Sequence, residues 1–240
     1  AEGGGVAIGY HSIAMGEGAH AYGQSGTGAT SGRAIAIGKN ADASGYHAVA
    51  MGDGAKVIGT HGLGFGNLAD ASGEAAVSIG QNTKSYGEHA VSIGNATDAS
   101  GVRSIAIGEN ARGYNSDSIS LGYQAQSGQT FVNGVTYSDV DNSGNIAIGY
   151  KALAPRRQGL SIGYESQTQD KSVAIGAAVQ TLDPTDPSNS NALIGTGGYN
   201  NVALGYASSV KSSGSTVCIG ALSRAGGTYN NATVGGANKS

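Results

Sequence analysis

The sequence is short of the side chains that fill an ordinary protein core. Among its 240 residues there is no Trp, aromatic residues make up 6%, and charged residues make up 12%. A compact domain of this length normally carries more large apolar groups to bury. Gly accounts for 43 residues, but it lacks the three-residue period of collagen. A repeat architecture built on small residues is therefore expected.

Other features that the sequence lacks limit the classes of function that the chain can have. The formal net charge is −3, so the chain has no basic field for nucleic acid, and no nucleic-acid partner is expected. A single cysteine, Cys218, excludes an intramolecular disulfide. No segment approaches the roughly 18 apolar residues of a membrane-spanning helix, and no signal peptide is present. We expect a fragment or a processed product, with membrane contact only through segments outside this chain.

Glycine recurs at every seventh position through the first half of the chain. It stands at positions 38, 45, 52, 59, 66, 73, 80, 87, 94, 101, 108 and 122, and Asn115 is the exception. Because Asn is the best substitute for Gly at positive φ, this grid predicts a left-handed turn at each position. Gly9, Gly16 and Gly23 begin the same grid, with one extra residue before Gly38. A coiled-coil heptad is excluded, since it needs large apolar residues at a and d and no periodic Gly.

A short strand followed by a turn fits each seven-residue unit, and two units make one 14-residue coil of a parallel β-solenoid, an all-β fold. In one unit, large apolar residues stand one and three positions before Gly, separated by Ala, Ser or Gly. Because side chains alternate faces along a strand, these residues are predicted to form an outward apolar ridge. Such a ridge requires cover, and we interpret it as the interface between identical chains. The predicted interface residues are Ile35, Ile37, Val49, Met51, Leu63, Phe65, Val77, Ile79, Val91, Ile93, Ile105, Ile107, Ile119 and Leu121.

The alternate unit keeps the small interior residues but is polar outside, with a carboxylate and a cation alternating from coil to coil. Its predicted outward direction makes it the candidate ligand-facing surface. The candidate residues there are Asp42, Lys56, Asp70, Lys84, Asp98, Arg112, Tyr86 and Tyr114.

Two interruptions of the grid define the predicted domain organisation. Between Gly122 and Gly149 a span of 27 residues replaces 14, and "TFVNGVTY" within it is an Asn-Gly hairpin signal. Phe131 and Tyr137 of this segment complete the candidate ligand-facing set. We expect a regular roll over 1–176 with a hairpin inserted at about 123–145. Residues 177–240 are predicted to hold an exposed loop over 180–191, followed by less regular coils.

No constellation of residues points to catalysis or to a cofactor. Serines lack the context of a nucleophile elbow, and the glycine-rich segments lack the Lys-Ser/Thr of a phosphate-binding loop. His11, His47, His61 and His89 each lie two places after a grid position. A surface column explains them better than a metal site, which needs more ligands. No enzyme activity, cofactor or metal is expected.

The repeat resembles the head domain of trimeric autotransporter adhesins, the YadA-like family. The resemblance rests on "AIAIG" at 34–38, "AVSIG" at 76–80 and 90–94, "SIAIG" at 104–108 and "SVAIG" at 172–176. It implies a left-handed parallel β-roll and a side-by-side homotrimer. It also implies attachment to host cells or extracellular matrix proteins such as collagen, at a bacterial surface, with a missing C-terminal region as the outer-membrane anchor. A phage tail-fibre segment that recognises a bacterial surface receptor and a structural spacer are the alternatives.

Overall fold

The computed structural model describes residues 4–7, 11–24, 32–128, 131–132, 135–136, 143–168, 170–177, 180–182, 200–212, 215–221, 224–227 and 232–234. The chain forms two compact units, Ala1–Arg112 and Gly113–Ser240. Each unit has its own core of buried small residues. The predicted boundary after residue 176 rests on the regularity of the repeat, and it stays a prediction.

The regular secondary structure of the described residues consists of short β-strands. In the first unit they are β1 (Val6–Ala7), β2 (Ile13–Met15), β3 (His20–Gln24), β4 (Ile35–Ile37), β5 (Asp42–Gly45), β6 (Val49–Met51), β7 (Lys56–Val57), β8 (Leu63–Phe65), β9 (Asp70–Ala71), β10 (Val77–Gln81), β11 (Lys84–Ser85), β12 (Val91–Asn95), β13 (Asp98–Ala99) and β14 (Ile105–Ile107). At the boundary lies β15 (Arg112–Gly113). The second unit contains β16 (Ile119–Leu121), β17 (Gln126–Ser127), β18 (Phe131–Val132), β19 (Val135–Thr136), β20 (Ile146–Ile148), β21 (Leu153–Ala154), β22 (Leu160–Ile162), β23 (Val173–Ile175), β24 (Gln180–Leu182), β25 (Val202–Leu204), β26 (Ser209–Ser212), β27 (Val217–Ile219), β28 (Arg224–Gly227) and β29 (Ala232–Val234).

Strands of the first unit alternate between two parallel sheets. The even-numbered strands β2 to β14 form the apolar sheet, and the odd-numbered strands β1 to β13 form the polar sheet. Each strand therefore pairs with the strand one coil away, as Ile35 of β4 does with Val49 of β6, 14 positions on. The first unit is an all-β parallel β-solenoid, and from Ile35 onward its coils have the 14 residues that the sequence predicts.

The second unit is also built from parallel strands, with variable coil lengths. Its apolar sheet runs in the order β16-β20-β22-β23-β25-β27-β29. Ile119 pairs with Ile146, 27 positions on, so the first interruption is accommodated without loss of the ladder. Leu160 pairs with Val173 after 13 positions. On the polar side of this unit, β17 pairs with β21, and β24, β26 and β28 form a separate three-stranded parallel sheet.

Both interruptions follow a strand on the polar side and precede the next strand of the apolar sheet. Within the first, β18 and β19 pair antiparallel, with Val132 opposite Val135. Within the second, Gln180–Leu182 forms the strand β24, which pairs with Ser209–Ser212. The exposed loop predicted over 180–191 is therefore wrong for its first three residues. Residues 183–191 lie outside the described residues.

Small side chains fill the space between the two sheets. Ala36 and Ala50 of the apolar sheet and Ala43 of the polar sheet are completely buried in one cluster. Val57 is a larger member of this cluster, and it is accommodated by two glycines. A Cβ added at Gly62 or Gly64 would lie 2.7 Å from a Val57 methyl group, closer than real Cβ contacts allow. The interior is therefore packed to a fixed volume, coil by coil.

Hydroxyl groups replace alanine methyl groups in the later coils. Ser78 Oγ donates to Thr83 Oγ1 over 2.8 Å, and the hydroxyls of Ser120 and Ser127 lie 2.7 Å apart. Because these side chains come from opposite sheets and are buried, each such pair bridges the interior and satisfies two polar groups that water does not reach. The serines at these inward-facing positions therefore belong to the core.

Two kinds of glycine share the grid. Gly38 in the apolar half-unit has φ of 132°, which side chains rarely adopt. Gly45 in the polar half-unit is not among the residues with positive φ, but a Cβ there would collide with the carbonyl oxygen of Gly59 in the next coil. The explanation by left-handed turns is therefore wrong for Gly45 and for its equivalents Gly59, Gly73 and Gly87, whereas Gly23 has φ of 56°.

Asn115 occupies one of these polar half-unit positions, and it is not among the positive-φ residues either. Its proposed role as a left-handed substitute for Gly is therefore wrong. The left-handed residue is instead the second one after the grid position, as at Asn40 (φ 52°) and Asn110 (φ 56°). Asn is favoured there for the reason that the sequence analysis assigned to position 115.

The beginning of the chain also departs from the predicted grid. Ile13 pairs with Ile35, 22 positions on, so this coil contains three seven-residue units and the one extra residue that the sequence predicts, instead of the two units of a 14-residue coil. The register of β3 against β5 shifts between Ala21 and Gln24. Val6–Ala7, although its sequence resembles the apolar repeat, pairs with β3 in the polar sheet.

Candidate functional site

The fourteen predicted interface residues lie on the outer surface of the apolar sheet in two adjacent columns. Along each strand the middle residue is buried and its two neighbours are half-buried or exposed, as in Ile35-Ala36-Ile37. Parallel pairing stacks equivalent residues directly, so that Val77 lies beside Val91 and Ile79 beside Ile93. We call these outward residues the apolar columns.

Exposure along the apolar columns is high for residues of this size. Phe65 is 41% exposed, Ile79 37% and Ile107 38%. Soluble monomers rarely present a continuous apolar surface of such length. The geometry therefore identifies this face as a candidate interaction surface, and its role as an interface between chains stays a prediction.

On the opposite sheet, the charged candidates stack with alternating sign. Asp42 pairs with Lys56, Lys56 with Asp70, and Asp70 with Lys84. Lys56 and Lys84 are exposed, whereas the aspartates are half-buried. This alternation places unlike charges on neighbouring strands, where each pair contributes at most about 1 kcal/mol. We call these residues, with their outward neighbours, the polar columns.

Each aspartate of the polar columns is held by a serine from its own strand. The three "DASG" segments make the same contact, in which the hydroxyl of Ser44, Ser72 or Ser100 donates to the carboxylate of Asp42, Asp70 or Asp98. Residues two apart on a strand face the same side, which is why the motif spaces Asp and Ser in this way. The carboxylates are thereby oriented on the surface.

Tyr86 lies between two of these carboxylates. Partial burial, together with the charges of Asp70 and Asp98 on the neighbouring coils, raises the pKa of Tyr86 above its usual value. The side chain remains 45% exposed. Tyr86 is therefore a neutral hydroxyl at neutral pH, available at the surface beside negative charge.

The remaining candidates are only partly described. Arg112 and Tyr114 are half-buried, and Tyr114 donates its backbone N–H to the carbonyl of Ser127 over 3.1 Å. Phe131 lies in β18. Tyr137 lies outside the described residues.

The histidines lie at turns with left-handed backbone. His47 and His61 have φ of 56° and 58°, and their ring centroids are 5.2 Å apart. Tyr46 stacks on His47 with centroids 3.9 Å apart. The described residues contain no group of three or more His, Cys, Asp or Glu side chains that could hold a metal ion.

A column of tyrosines in the second unit was missed by the sequence analysis. Tyr123 and Tyr150 stack with centroids 5.2 Å apart, and Tyr150 and Tyr164 stack with centroids 4.9 Å apart. Each tyrosine directly follows the glycine of an apolar half-unit, as does Tyr206. The signal was therefore present as a recurring "GY" at 122–123, 149–150, 163–164 and 205–206.

A buried ion pair was also missed. Arg156 occupies a grid position that is usually Gly and is 7% exposed. Beside it, Arg157 Nη2 lies 3.5 Å from Asp170 Oδ2, and the Asp170 side chain is only 6% exposed. The grid breaks at this point, and a pattern built on glycine gives no signal for the charged group that replaces it. The burial of this ion pair indicates a structural role.

The fold and its surfaces are those of a β-solenoid repeat protein that presents long, repetitive faces. A family profile described as the YadA head domain repeat matches residues 7–28, 29–55, 71–97 and 99–125. These segments therefore carry YadA-like head repeats, as the sequence resemblance predicted. This repeat is of a structural and adhesive kind.

Two further findings accompany this assignment. No curated protein matches the chain. The described part of the chain contains no helix with the length and hydrophobicity needed to cross a bilayer.

Proposed function

We propose that this chain is the head of a trimeric autotransporter adhesin that attaches a bacterium to host cells or to extracellular matrix proteins such as collagen. The observation that carries the proposal is the coincidence of YadA head repeats with apolar columns that a single chain leaves half-exposed. In this proposal three left-handed rolls pack side by side through these columns. A C-terminal region outside the chain anchors the assembly to the outer membrane.

Energetics favours such an assembly. Burying one large aliphatic side chain completely contributes about 1.5–3 kcal/mol. Because Ile79 and Ile107 are already more than half covered in the single chain, closure by a neighbour adds only part of this amount per residue. Fourteen such residues in each chain still provide a large total. The interior, filled by Ala, contributes little per residue, so stability from assembly is what this fold needs.

Attachment would be multivalent. The polar columns repeat at every coil, and three copies multiply them, so that weak individual contacts gain from a high effective concentration. The oriented carboxylates of the "DASG" segments, the exposed Lys56 and Lys84, and Tyr86 are the proposed contacts.

A solid-phase attachment assay tests the proposal. The purified chain is applied to arrayed collagens, other matrix proteins and bacterial surface glycans, alongside the variant K56E/K84E. We expect binding to at least one matrix protein and a loss of at least tenfold in the variant. The matched control K39E/K171E has the same net charge but places its changes at turns, and it should bind normally. Binding to bacterial glycans alone would overturn the proposal in favour of a phage-fibre function.

A further inference from the structure

The tyrosine column of the second unit lacks one ring. Successive coils carry Tyr123, Tyr150 and Tyr164, whose rings stack at spacings of 5.2 and 4.9 Å. The next coil presents Ala177 at the same place, and the coil after it presents Tyr206. The ladder is therefore interrupted by a single methyl group and then resumes.

Strand pairing fixes this alignment. Ile162 pairs with Ile175, which pairs with Leu204, and a member of the column follows each of them by two residues. Coils are about 4.8 Å apart in the hydrogen-bonding direction. Two such steps place the backbones of Tyr164 and Tyr206 about 10 Å apart, and rings that extend in parallel from them keep that spacing. We call the space between these rings, above Ala177, the slot.

The two tyrosines that border the slot are largely exposed. Tyr164 is 53% exposed and Tyr206 62%, whereas Tyr150, stacked on both faces, is 38% exposed. One face of Tyr164 is covered by Tyr150, and the other is directed toward the slot. A planar group inserted midway would lie about 5 Å from each ring, which is the spacing that the existing ladder already uses and lies within the range of cation–π contact.

A carboxylate lies beside Tyr164, the first ring that borders the slot, and its charge also acts on Lys151 one coil earlier. Glu165, next to Tyr164, raises the pKa of the Tyr164 hydroxyl mainly through its negative charge. One coil earlier, Lys151 Nζ lies 5.1 Å from the centroid of the Tyr150 ring, so a cation already contacts this column. No such aromatic column exists at the equivalent turns of the described first unit, where Asn67 and Asn95 form polar contacts instead.

We propose that the slot binds the guanidinium group of an arginine side chain on a partner polypeptide. A guanidinium is planar, permanently charged and weakly hydrated, so it can stack between two aromatic faces and pair with a carboxylate. A lysine ammonium has the charge without the plane, and a sugar ring lacks the charge. A role of the slot in recognising a partner rests on the adhesive function proposed above. The binding of a guanidinium group to the slot does not depend on that function.

The test uses a small probe and the full chain. N-acetyl-arginine methylamide is titrated while the aromatic carbon–proton NMR signals of Tyr164 and Tyr206 are followed. We expect saturable shifts of both residues. The citrulline analogue, planar but neutral, and methyl β-glucoside should bind at least tenfold more weakly. The variant E165Q should weaken the arginine probe severalfold and leave the citrulline analogue unchanged.

A pair of matched variants locates the site. A177Y completes the ladder and should abolish the shifts, while circular dichroism shows that the strands remain. A221Y adds a ring at the same place one coil beyond Tyr206, since Leu204 pairs with Ile219, and it should leave binding intact. Equal binding of arginine by A177Y, or a preference for the glucoside, would overturn the proposal. Because the probe is a single amino-acid derivative, this result is independent of the attachment assay.

Discussion

Val57 sets the packing rule for the interior. Where neighbouring coils place Ala43 or Ala71 in the polar sheet, this coil places Val, and its facing residues are Gly62 and Gly64. The sum of the volumes is conserved while the individual residues change. Such an exchange is tolerated only when both partners change together, because interiors are packed at crystal-like density.

This rule yields a double-mutant prediction. Gly64→Ala places a methyl group 2.7 Å from Val57 Cγ2 and should lower the free energy of unfolding by about 1–3 kcal/mol. Val57→Ala leaves a cavity and should cost about 2 kcal/mol. The double variant V57A/G64A reproduces the pairing of Ala43 with Ala50 and should be more stable than either single variant, as measured by urea denaturation. Additive losses would contradict the rule.

Single positions also show where the sequence pattern stops being informative. The alternation of large and small residues predicted correctly that Ala36 is buried and Ile37 outward. The pattern did not distinguish a Gly required by φ, such as Gly38, from one required by the approach of the next coil, such as Gly45. Both constraints select Gly, and only the backbone angles separate them.

Neighbouring strands of the polar sheet interact through their charges. The pairing of Asp70 with Lys84 and of Lys84 with Asp98 gives a period of two coils, or 28 residues, in a ladder whose backbone repeats every 14. Removal of one coil and removal of two coils are therefore different perturbations, although both preserve the strand register.

Deletion of residues 77–90 brings the rows of Asp70 and Asp98 together, whereas deletion of 77–104 restores alternation by placing Arg112 beside Asp70. Like charges on adjacent strands are destabilising by up to about 1 kcal/mol, and salt screens them. We expect the 14-residue deletion to gain stability with added salt, relative to the 28-residue deletion and the unaltered chain. Denaturation at low and high salt measures this, and equal salt dependence in all three proteins would contradict it.

Turns and coil lengths were predicted less well from the sequence than the strands were. The 27-residue span before Gly149 was predicted correctly, because regular repeats stand on both sides of it. The 22-residue coil at Ile13 was not, since Gly-rich residues between its strands imitate the seven-residue grid. The tyrosine column was missed because its "GY" signal recurs at irregular intervals of 27, 14 and 42 residues, which the seven-residue grid does not single out.

In the proposed trimer the apolar columns form the contacts between chains. Two isoleucines offer a matched comparison: Ile79 lies in the apolar columns and is 37% exposed, and Ile58 lies in the polar columns and is 47% exposed. Hydrophobicity and size are equal, so only the face differs. The predicted side-by-side trimer requires the first position and leaves the second in water.

We expect the unaltered chain to sediment as a trimer, Ile79→Asp to shift the equilibrium to monomer, and Ile58→Asp to remain trimeric. An aspartate buried at an interface lacks a partner and costs several kcal/mol in each chain. Sedimentation equilibrium gives the mass directly. A stable monomer for the unaltered chain, or trimers for both variants, would refute the role given to the apolar columns.

Hydrogen bonds between coils carry a mechanical consequence for the first unit. Leu63 N donates to Ala76 O over 2.9 Å, and Val77 N donates to Ala90 O over 2.8 Å, so successive bonds are aligned with the winding axis. A pulling force along that axis opens them in sequence, one turn of chain at a time, instead of shearing a whole sheet at once. Each released turn supplies up to about 50 Å of extended chain, and a load on the unit is relieved by stepwise lengthening before all its turns unravel.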